Sequence, residues 1–420
     1  MKRLVDALQP GQRVFVSTLS TESALLHDEL LADPDRARGV TFCGVQFPGI
    51  DRIDYLALHP EASQEAFFMT AGVRADIRAD IPAGIANGRA ELSSQDYQGI
   101  VRQLKDGPPH DLAIAQLTPP DADGYCSPGL AADFMPLVWP RVKRRIAHLN
   151  PRLPRTRGSF RVHISEIDLA IEADAPLLPF ADTSAGDIET RIGALVAPLV
   201  HDGDTLQFGV GAVPAAVAGA LATHRGLRFH GGMLPSALQT LWDAGAMDRD
   251  ARITTGVVLG DSALHDFVAR LEPLWLTDVA HTHDVVALAA IPRLVAINGA
   301  VEVDLFGQIN SERVGGVIQA GAGGLPAFAQ GALLSPGGRL LICLPASARR
   351  GEVSRIVPAL DARALCTVPR YLADAVVTEH GVAQLRGLSL DARAQALIGI
   401  AAPAHRAALA AAWDDIRRKL

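Results

Sequence analysis

One stretch of the chain constrains its fold more than any other, the thirty residues from Asp204 to Met233, DTLQFGVGAVPAAVAGALATHRGLRFHGGM. Thr205–Phe208 is a short run that favours a β-strand, and Ala215–Ala222 consists of small helix-forming residues. The turn between them contains Gly209 and Gly211. The pattern therefore predicts a strand, a glycine turn and a helix, which is the repeating unit of a parallel α/β sheet.

A second strand is predicted at Leu227–His230, and it stops at Gly231-Gly232. In open parallel sheets, ligands bind outside the carboxyl ends of the strands, where glycine loops meet helix N-termini. The loop at Gly209–Gly211 would allow backbone amides to approach a ligand oxyanion or phosphate. A glycine turn between strand and helix is also ordinary α/β architecture, so these residues alone leave both interpretations open.

The composition excludes several classes of protein. A length of 420 residues predicts two or three domains, and a hydrophobic content of 49% supplies ample material for their cores. The net charge is −7, and the basic residues are scattered, which argues against nucleic acid as a partner. The one basic cluster, Arg141–Arg145, lacks interleaved aromatic residues and is typical of a solvated helix face.

The location and the metal content are also predicted from composition. The N-terminal segment MKRLVDALQPGQ has no apolar core of a signal peptide, and no run reaches about 18 apolar residues, so neither secretion nor a membrane span is expected. No cysteines form a C-x-x-C pair, which predicts reduced thiols and a cytoplasmic protein. His281 and His283 would share one face of a strand, a weak metal signal, and no metal is predicted.

Strands and helices alternate along both halves of the chain. The loop-like segment Pro176–Gly186 marks the best boundary, so we predict domains at 1–182 and 183–420. The predicted fold class is α/β, with two related open α/β domains and a site in the cleft between them. Two local predictions are a strand at Ala66–Thr70 and a tight turn or hairpin at Asn298-Gly299.

Several longer phrases, taken together, are more specific than any single motif. In this order and spacing the chain resembles the acetyl-CoA hydrolase/transferase family, whose members include 4-hydroxybutyrate and acetate CoA-transferases. The resemblance covers nearly the whole chain. The phrases that carry it are TPPDADGYCSPG at 118–129, NPRLPRTRG at 150–158, HISEIDLAIE at 163–172, LQFGVGAVPAAV at 206–217, AINGAVEVDLFGQIN at 296–310, GAGGLPAFAQGA at 321–332, SRIVP at 354–358 and VVTEHGVAQLRG at 376–387.

The resemblance implies the architecture of the class I CoA-transferases, with coenzyme A bound in the cleft as a substrate or product thioester. It implies an acyl-CoA and a small carboxylate as partners, and a homodimer or higher homo-oligomer. The family's glycine loops correspond here to Gly209 and Gly211 and to Gly321, Gly323 and Gly324, which are the predicted CoA contacts.

The resemblance also implies covalent catalysis by a glutamate, in a His-Thr-Glu-Met type motif after the second strand. The carboxylate attacks the thioester, the thiolate then attacks the mixed anhydride, and a glutamyl-CoA thioester results. This chain has His230-Gly231-Gly232-Met233 instead, which places Gly232 at the position of the glutamate. A glycine offers no nucleophile, so the usual route cannot pass through this position.

Three interpretations of this departure stay open. Another carboxylate could take over, with Glu302 the main candidate, although a role in bracing the glycine loops is the favoured interpretation of Glu302. Glu379 and Glu166 are better explained as structural. Water could attack the thioester with Glu302 or His230 as general base, which gives hydrolysis. The chain could also be an acyl-CoA-binding protein that has lost its transferase activity. We predict an acyl-CoA-processing enzyme, a CoA-transferase or acyl-CoA hydrolase, with Glu302, His230 and Gly232 as the candidate catalytic positions.

Overall fold

The structure of the protein is a computed structural model that describes residues 2–74, 88–181 and 183–420. The chain divides into two units. Unit 1 contains Met1–Ala181 together with Thr254–Thr282 and Gln319–Gly321, and unit 2 contains Asp182–Ile253, His283–Ile318 and Ala322–Leu420. The first segment of unit 1 thus ends next to the predicted boundary at 182, and two later segments of the chain return to it.

Unit 1 is built on a seven-stranded sheet in the order β4-β3-β2-β1-β5-β7-β9, in which every paired strand is parallel. The strand β5 is buried on both faces along its whole length, as its continuous apolar sequence predicts. The strands are β1 Arg13–Val16, β2 Thr41–Cys43, β3 Ser63–Ala66, β4 Ala90–Leu92, β5 Leu112–Leu117, β6 Tyr125–Cys126, β7 Arg144–Leu149, β8 Val162–His163 and β9 Leu169–Glu172, of which β6 and β8 pair separately.

Unit 2 is built on a six-stranded sheet in the order β11-β10-β16-β21-β25-β26, parallel except for the last pair. Its core packs the helix at Leu325–Leu334 and the C-terminal helices against β16, β21 and β25. The main strands are β10 Thr205–Phe208, β11 Arg228–Phe229, β16 Leu294–Gly299, β21 Arg339–Cys343, β25 Ala375–Thr378 and β26 Gly381–Gln384. The remaining strands of the chain, of which β14 and β15 belong to unit 1, are β12 Met233–Pro235, β13 Ile253–Thr255, β14 Val257–Leu259, β15 Leu274–Leu276, β17 Glu302–Asp304, β18 Ile309–Asn310, β19 Arg313–Val314, β20 Val317–Ile318, β22 Ser347–Ala348, β23 Val353–Ser354 and β24 Ile356–Val357.

The helices begin at capping residues where the sequence supplies them. Ser389 accepts a hydrogen bond from the backbone of Ala392 at 3.2 Å, and Asp261 caps its helix in the same way. The helices are α1 Ala24–Ala32, α2 Tyr55–Leu58, α3 Tyr97–Asp106, α4 Met135–Val138, α5 Asp187–Val196, α6 Ala212–Ala220, α7 Ser236–Asp243, α8 Ser262–Ala269, α9 Val279–Thr282, α10 Val285–Ala289, α11 Leu325–Leu334, α12 Leu390–Ile400 and α13 Pro403–Arg417.

A buried carboxylate fixes the start of β10. Asp204 is fully buried and forms an ion pair with Arg339, the first residue of β21. It also accepts a hydrogen bond from the backbone of His201 at 2.7 Å. Because β10 and β21 both pair with β16, this contact aligns three neighbouring strands of the unit 2 sheet. Their carboxyl ends consequently lie side by side.

Two local predictions are wrong. The turn residues Asn298 and Gly299 remain inside β16, opposite Ile342 and Cys343 of β21, and the next strand, β17, pairs with β18 and β24 in a separate small sheet. The strand expected at Ala66–Thr70 lies earlier, at β3. In the part of the chain that the structure describes, no helix is both long and apolar enough to cross a membrane.

Candidate active site

A cavity of about 250 Å³ lies in unit 2 at the carboxyl ends of β10, β16 and β21. This is the edge of an open parallel sheet at which ligands bind. The loop that follows β10 forms one wall, and Arg355 and Glu189 supply charged side chains. The residues that line the cavity are Glu189, 209–214, 297–300, 343–345 and Arg355.

The first glycine loop is open on its outer face. A Cβ atom added to Gly209 or to Gly211 would meet no atom within 4 Å. Gly211 has a φ of 117°, a conformation that disfavours side chains, and it is the N-cap of α6. The first backbone amides of α6 have no side-chain cap, so they remain available to a ligand oxyanion. The sequence prediction that this loop allows a ligand to approach the backbone therefore has a geometric basis.

Arg355 gives the cavity a positive charge. Its side chain is half-buried, and among the described residues its guanidinium has neither a hydrogen bond nor an ion pair. The neighbouring Asn298 is held in place, since its Nδ2 donates to Oε1 of Gln207 at 2.8 Å. A fixed amide and a guanidinium without an ion pair, beside open backbone amides, form a set of donors suited to an anionic ligand, although Glu189 lines the same cavity.

A second group of predicted residues lies together around the imidazole of His283. A Cβ atom on Gly232 would lie 2.5 Å from Cε1 and 2.8 Å from Nε2 of this ring, and a Cβ on Gly324 would lie 2.6 Å from its Cδ2. The ring also packs against Phe328, with centroids 4.7 Å apart. His283 therefore fills the space between the glycine at the expected nucleophile position and the glycine that caps α11.

His283 is only 2% exposed, and His230 is 7% exposed. Burial, together with the nearby His230, lowers the pKa of His283 to about 3, so its imidazole is neutral at physiological pH. The sequence analysis considered His283 only as a metal ligand on a strand with His281. The structure instead places the exposed His281 in the short helix α9, with His283 just beyond its end. The only sequence signal for His283 was this close pair of histidines.

Glu302, the main carboxylate candidate, is not in either group. It lies in β17 opposite Asn310, whose Nδ2 donates to Oε1 of Glu302 at 2.9 Å, and it does not line the cavity. Glu379 accepts a hydrogen bond from the backbone of Ala346 at 2.8 Å, and Glu166 accepts one from the backbone of His163 at 3.0 Å. All three carboxylates thus have bracing contacts, which favours the structural interpretation of each.

The second glycine loop differs from the first. A Cβ on Gly321, which belongs to unit 1, would lie 2.7 Å from the carbonyl oxygen of Phe67. Gly323 has a φ of 61°, and Gly324 is the N-cap of α11. Contacts within the protein therefore already account for glycine at 321 and 324. Binding of CoA by this loop stays a prediction.

Unit 1 contains an acid with a raised pKa, Asp133, which the sequence did not predict. Asp133 has a φ of 44° and lines a small cavity of about 10 Å³ beside the carboxyl ends of β1 and β5, which is room for about one water molecule. Burial and the nearby Asp51 raise the pKa of Asp133 to about 8. This carboxyl therefore retains a proton at neutral pH.

Three potential metal ligands also meet in unit 1, where Cys43, Glu65 and His110 place their ligand atoms within 4.8 Å of one another. Arg13 already donates to both carboxylate oxygens of Glu65, at 2.7 and 2.9 Å. Burial raises the pKa of the Cys43 thiol well above its usual value, which opposes formation of the thiolate that a metal requires. The contacts are therefore explained by the ion pair, and we assign no metal to this cluster.

Comparison with known proteins agrees with the α/β fold. Residues 260–413 match the family model described as "Acetyl-CoA hydrolase/transferase C-terminal domain". A 4-hydroxybutyrate coenzyme A transferase from Clostridium kluyveri is 37% identical over 332 residues, which are 77% of this chain and 77% of that protein.

Solved structures extend the likeness to nearly the whole chain. RipA from Yersinia pestis has a TM-score of 0.89 at 28% identity, over 98% of this chain and 96% of that one. A 4-hydroxybutyrate CoA-transferase from Porphyromonas gingivalis has a TM-score of 0.81 at 28% identity, over 99% and 96%. The fold is thus shared with solved structures that include a 4-hydroxybutyrate CoA-transferase. The chain belongs to the acetyl-CoA hydrolase/transferase family, which confirms the resemblance that its sequence motifs indicate.

Proposed function

We propose that this protein processes short or medium acyl-CoA thioesters and transfers CoA between an acyl-CoA and a small carboxylate. One observation carries the proposal: the open cavity beside Gly209 and Gly211, at the carboxyl ends of three parallel strands, with the guanidinium of Arg355 in its wall. Backbone amides and a guanidinium suit the phosphates and the thioester oxygen of an acyl-CoA. The similar 4-hydroxybutyrate coenzyme A transferase supports this reaction class.

Hydrolysis of the thioester is the second candidate, and a specific observation favours it. Position 232 has no carboxylate, and the carboxylates Glu302, Glu379 and Glu166 are tied to other groups. His230 and His283 lie beside this position instead. A water molecule that attacks the bound thioester would need a general base, and His230 is the candidate for that role. The glycines 321, 323 and 324 remain proposed CoA contacts in either reaction.

The third interpretation, an acyl-CoA-binding protein without activity, is less favoured because the similar curated proteins are named as CoA-transferases. We further propose a cytoplasmic location, assembly as a homodimer or higher homo-oligomer, and catalysis without a metal. These proposals come from the family resemblance and from the composition, and each can be tested separately from the reaction.

The test is incubation of the purified protein with acetyl-CoA and longer acyl-CoAs, with and without free carboxylates, while free thiol and new acyl-CoA are followed together. New acyl-CoA without net thiol release would support transfer. Thiol release that does not depend on carboxylate would support hydrolysis, and His230→Ala and Glu302→Ala would then be compared. Neither product, with CoA binding still seen by calorimetry, would contradict both enzyme reactions for these substrates.

A further inference from the structure

We propose that His283 is a specificity-determining residue of this site, because its imidazole occupies the space that any side chain at position 232 requires. The inference rests on the proposed function, since it concerns which acyl-CoA reaction the site can carry out. While His283 is present, the site excludes a nucleophilic carboxylate at 232 and therefore excludes covalent transfer through this position.

The imidazole of His283 leaves no room for a side chain at position 232. A Cβ atom on Gly232 would approach Cε1 of His283 to 2.5 Å, and carbon atoms in proteins do not come this close. The other edge of the ring lies close to Gly324, where an added Cβ would lie 2.6 Å from Cδ2. Phe328 packs beside the ring, with centroids 4.7 Å apart. The imidazole is therefore held between two positions that must both be glycine.

Burial of His283 also disfavours a side chain at position 232. His283 is 2% exposed, so the ring has no solvent-filled space into which it could rotate. A carboxylate added at 232 would also have to be buried beside a ring that is neutral at physiological pH. Glycine at 232 thus matches histidine at 283, and a side chain at 232 requires a change at 283.

Removal of the imidazole should make position 232 usable. In the double variant Gly232→Glu with His283→Ala, the introduced carboxylate oxygen can attack the thioester carbonyl carbon. A C–O bond forms, the C–S bond breaks, and CoA leaves as the thiolate with the electron pair. The thiolate then attacks the carbonyl carbon of the enzyme's side chain, which releases the acyl group as a carboxylate and leaves CoA attached to the enzyme as a thioester.

The first experiment uses thermal unfolding to measure whether the destabilisation caused by a side chain at position 232 depends on His283. Gly232→Ala should lower the melting temperature by about 5 °C or more in the wild-type background and by clearly less in the His283→Ala background. His265→Ala, which removes another buried imidazole in α8, serves as the control background and should leave the effect of Gly232→Ala unchanged. Equal effects in all three backgrounds would overturn the proposal.

The second experiment measures the chemistry. The double variant Gly232→Glu with His283→Ala should form a covalent CoA adduct with acyl-CoA, seen by intact-protein mass spectrometry, and should transfer CoA at least about tenfold faster than Gly232→Glu alone. The matched control is Gly232→Gln with His283→Ala, which has the same volume but no nucleophile and should form no adduct.

The outcomes separate this inference from the proposed function. Absence of CoA binding and of turnover in the wild type would contradict the proposed function. A wild type that binds CoA, with a folded double variant that forms no adduct, would overturn the inference alone. An adduct in Gly232→Glu with His283 intact would also overturn it, because the imidazole would then not exclude the carboxylate.

Discussion

The two glycine loops, at Gly209–Gly211 and Gly321–Gly324, look alike in sequence and differ in structure. A side chain on Gly209 would meet nothing within 4 Å, whereas one on Gly321 would collide with the carbonyl oxygen of Phe67, and one on Gly324 with His283. The first loop keeps a surface open for a ligand, and the second is closed by contacts within each unit. The comparison shows that a glycine-rich motif has at least two physical causes, which structure separates and sequence does not.

The largest expected effect tests this contrast through stability. Gly321→Ala should lower the free energy of unfolding by about 3 kcal/mol, because the new methyl group meets a backbone carbonyl that cannot rotate away. Gly209→Ala is the matched control and should change it by less than about 1 kcal/mol. Denaturant unfolding measures the free energy of unfolding of both variants. Equal losses in the two variants would contradict the difference between the loops.

The next effect concerns binding. Gly209→Leu should weaken CoA binding about 100-fold, because the added side chain projects into the cavity that we propose for CoA. Its melting temperature should stay close to that of the wild type, since the space around Gly209 is open. Isothermal titration calorimetry measures the affinity, and an unchanged affinity in the folded variant would remove this loop from the CoA site.

The stability of the protein should also depend on pH through His283. The pKa of His283 is about 3 in the folded protein, below the usual value for histidine, so between these values the unfolded state binds a proton that the folded state does not. The stability is therefore fully present above about pH 6.5 and falls as the pH decreases, by about 2 kcal/mol near pH 5 from this group.

The variant His283→Ala isolates the contribution of this imidazole to the pH dependence of stability. In His283→Ala the loss of stability between neutral pH and pH 5 should be smaller than in the wild type, whatever the variant's stability at pH 7. His110 in unit 1, whose pKa burial lowers to about 4, contributes with the same sign and remains in both proteins. Denaturant unfolding across this pH range measures the difference, and parallel curves would show that His283 does not titrate as described.

The smallest expected effect is that of the positive charge of Arg355, which lines the cavity beside Gly209 and Gly211. Arg355→Ala should weaken CoA binding about tenfold, and the difference should shrink at high salt, because the guanidinium lines the cavity and forms no ion pair among the described residues. Arg363→Ala is the control, since Arg363 is exposed and pairs with Asp361. Equal effects of the two substitutions would indicate only a general change in charge.

Local sequence patterns predict the regular parts of the fold well. β10 and the helix α6 lie within a few residues of their predicted positions, because the strand and helix patterns there are continuous and separated by glycines. β3 was misplaced because its residues are polar. Gln64 is buried and donates to Gln46 at 2.6 Å, and Glu65 pairs with Arg13, so partners distant in sequence make this strand possible.

The site was predicted only in part, for the same reason. The resemblance supplied Gly209, Gly211 and Gly232, and local sequence suggested His230. Neither could place His283 against Gly232, because the two positions are 51 residues apart and meet only through the fold. The hairpin at Asn298-Gly299 failed similarly, since pairing with β21 overrides the preference of these residues for a turn.

Hydrogen–deuterium exchange of the protein with and without CoA tests the central claim most directly, because it reports on the backbone amides of both loops in one experiment. The account predicts that CoA protects the amides of residues 209–213, where open glycines meet the N-terminus of α6. Unchanged exchange at 209–213 at saturating CoA, or protection confined to residues 321–324, would contradict it.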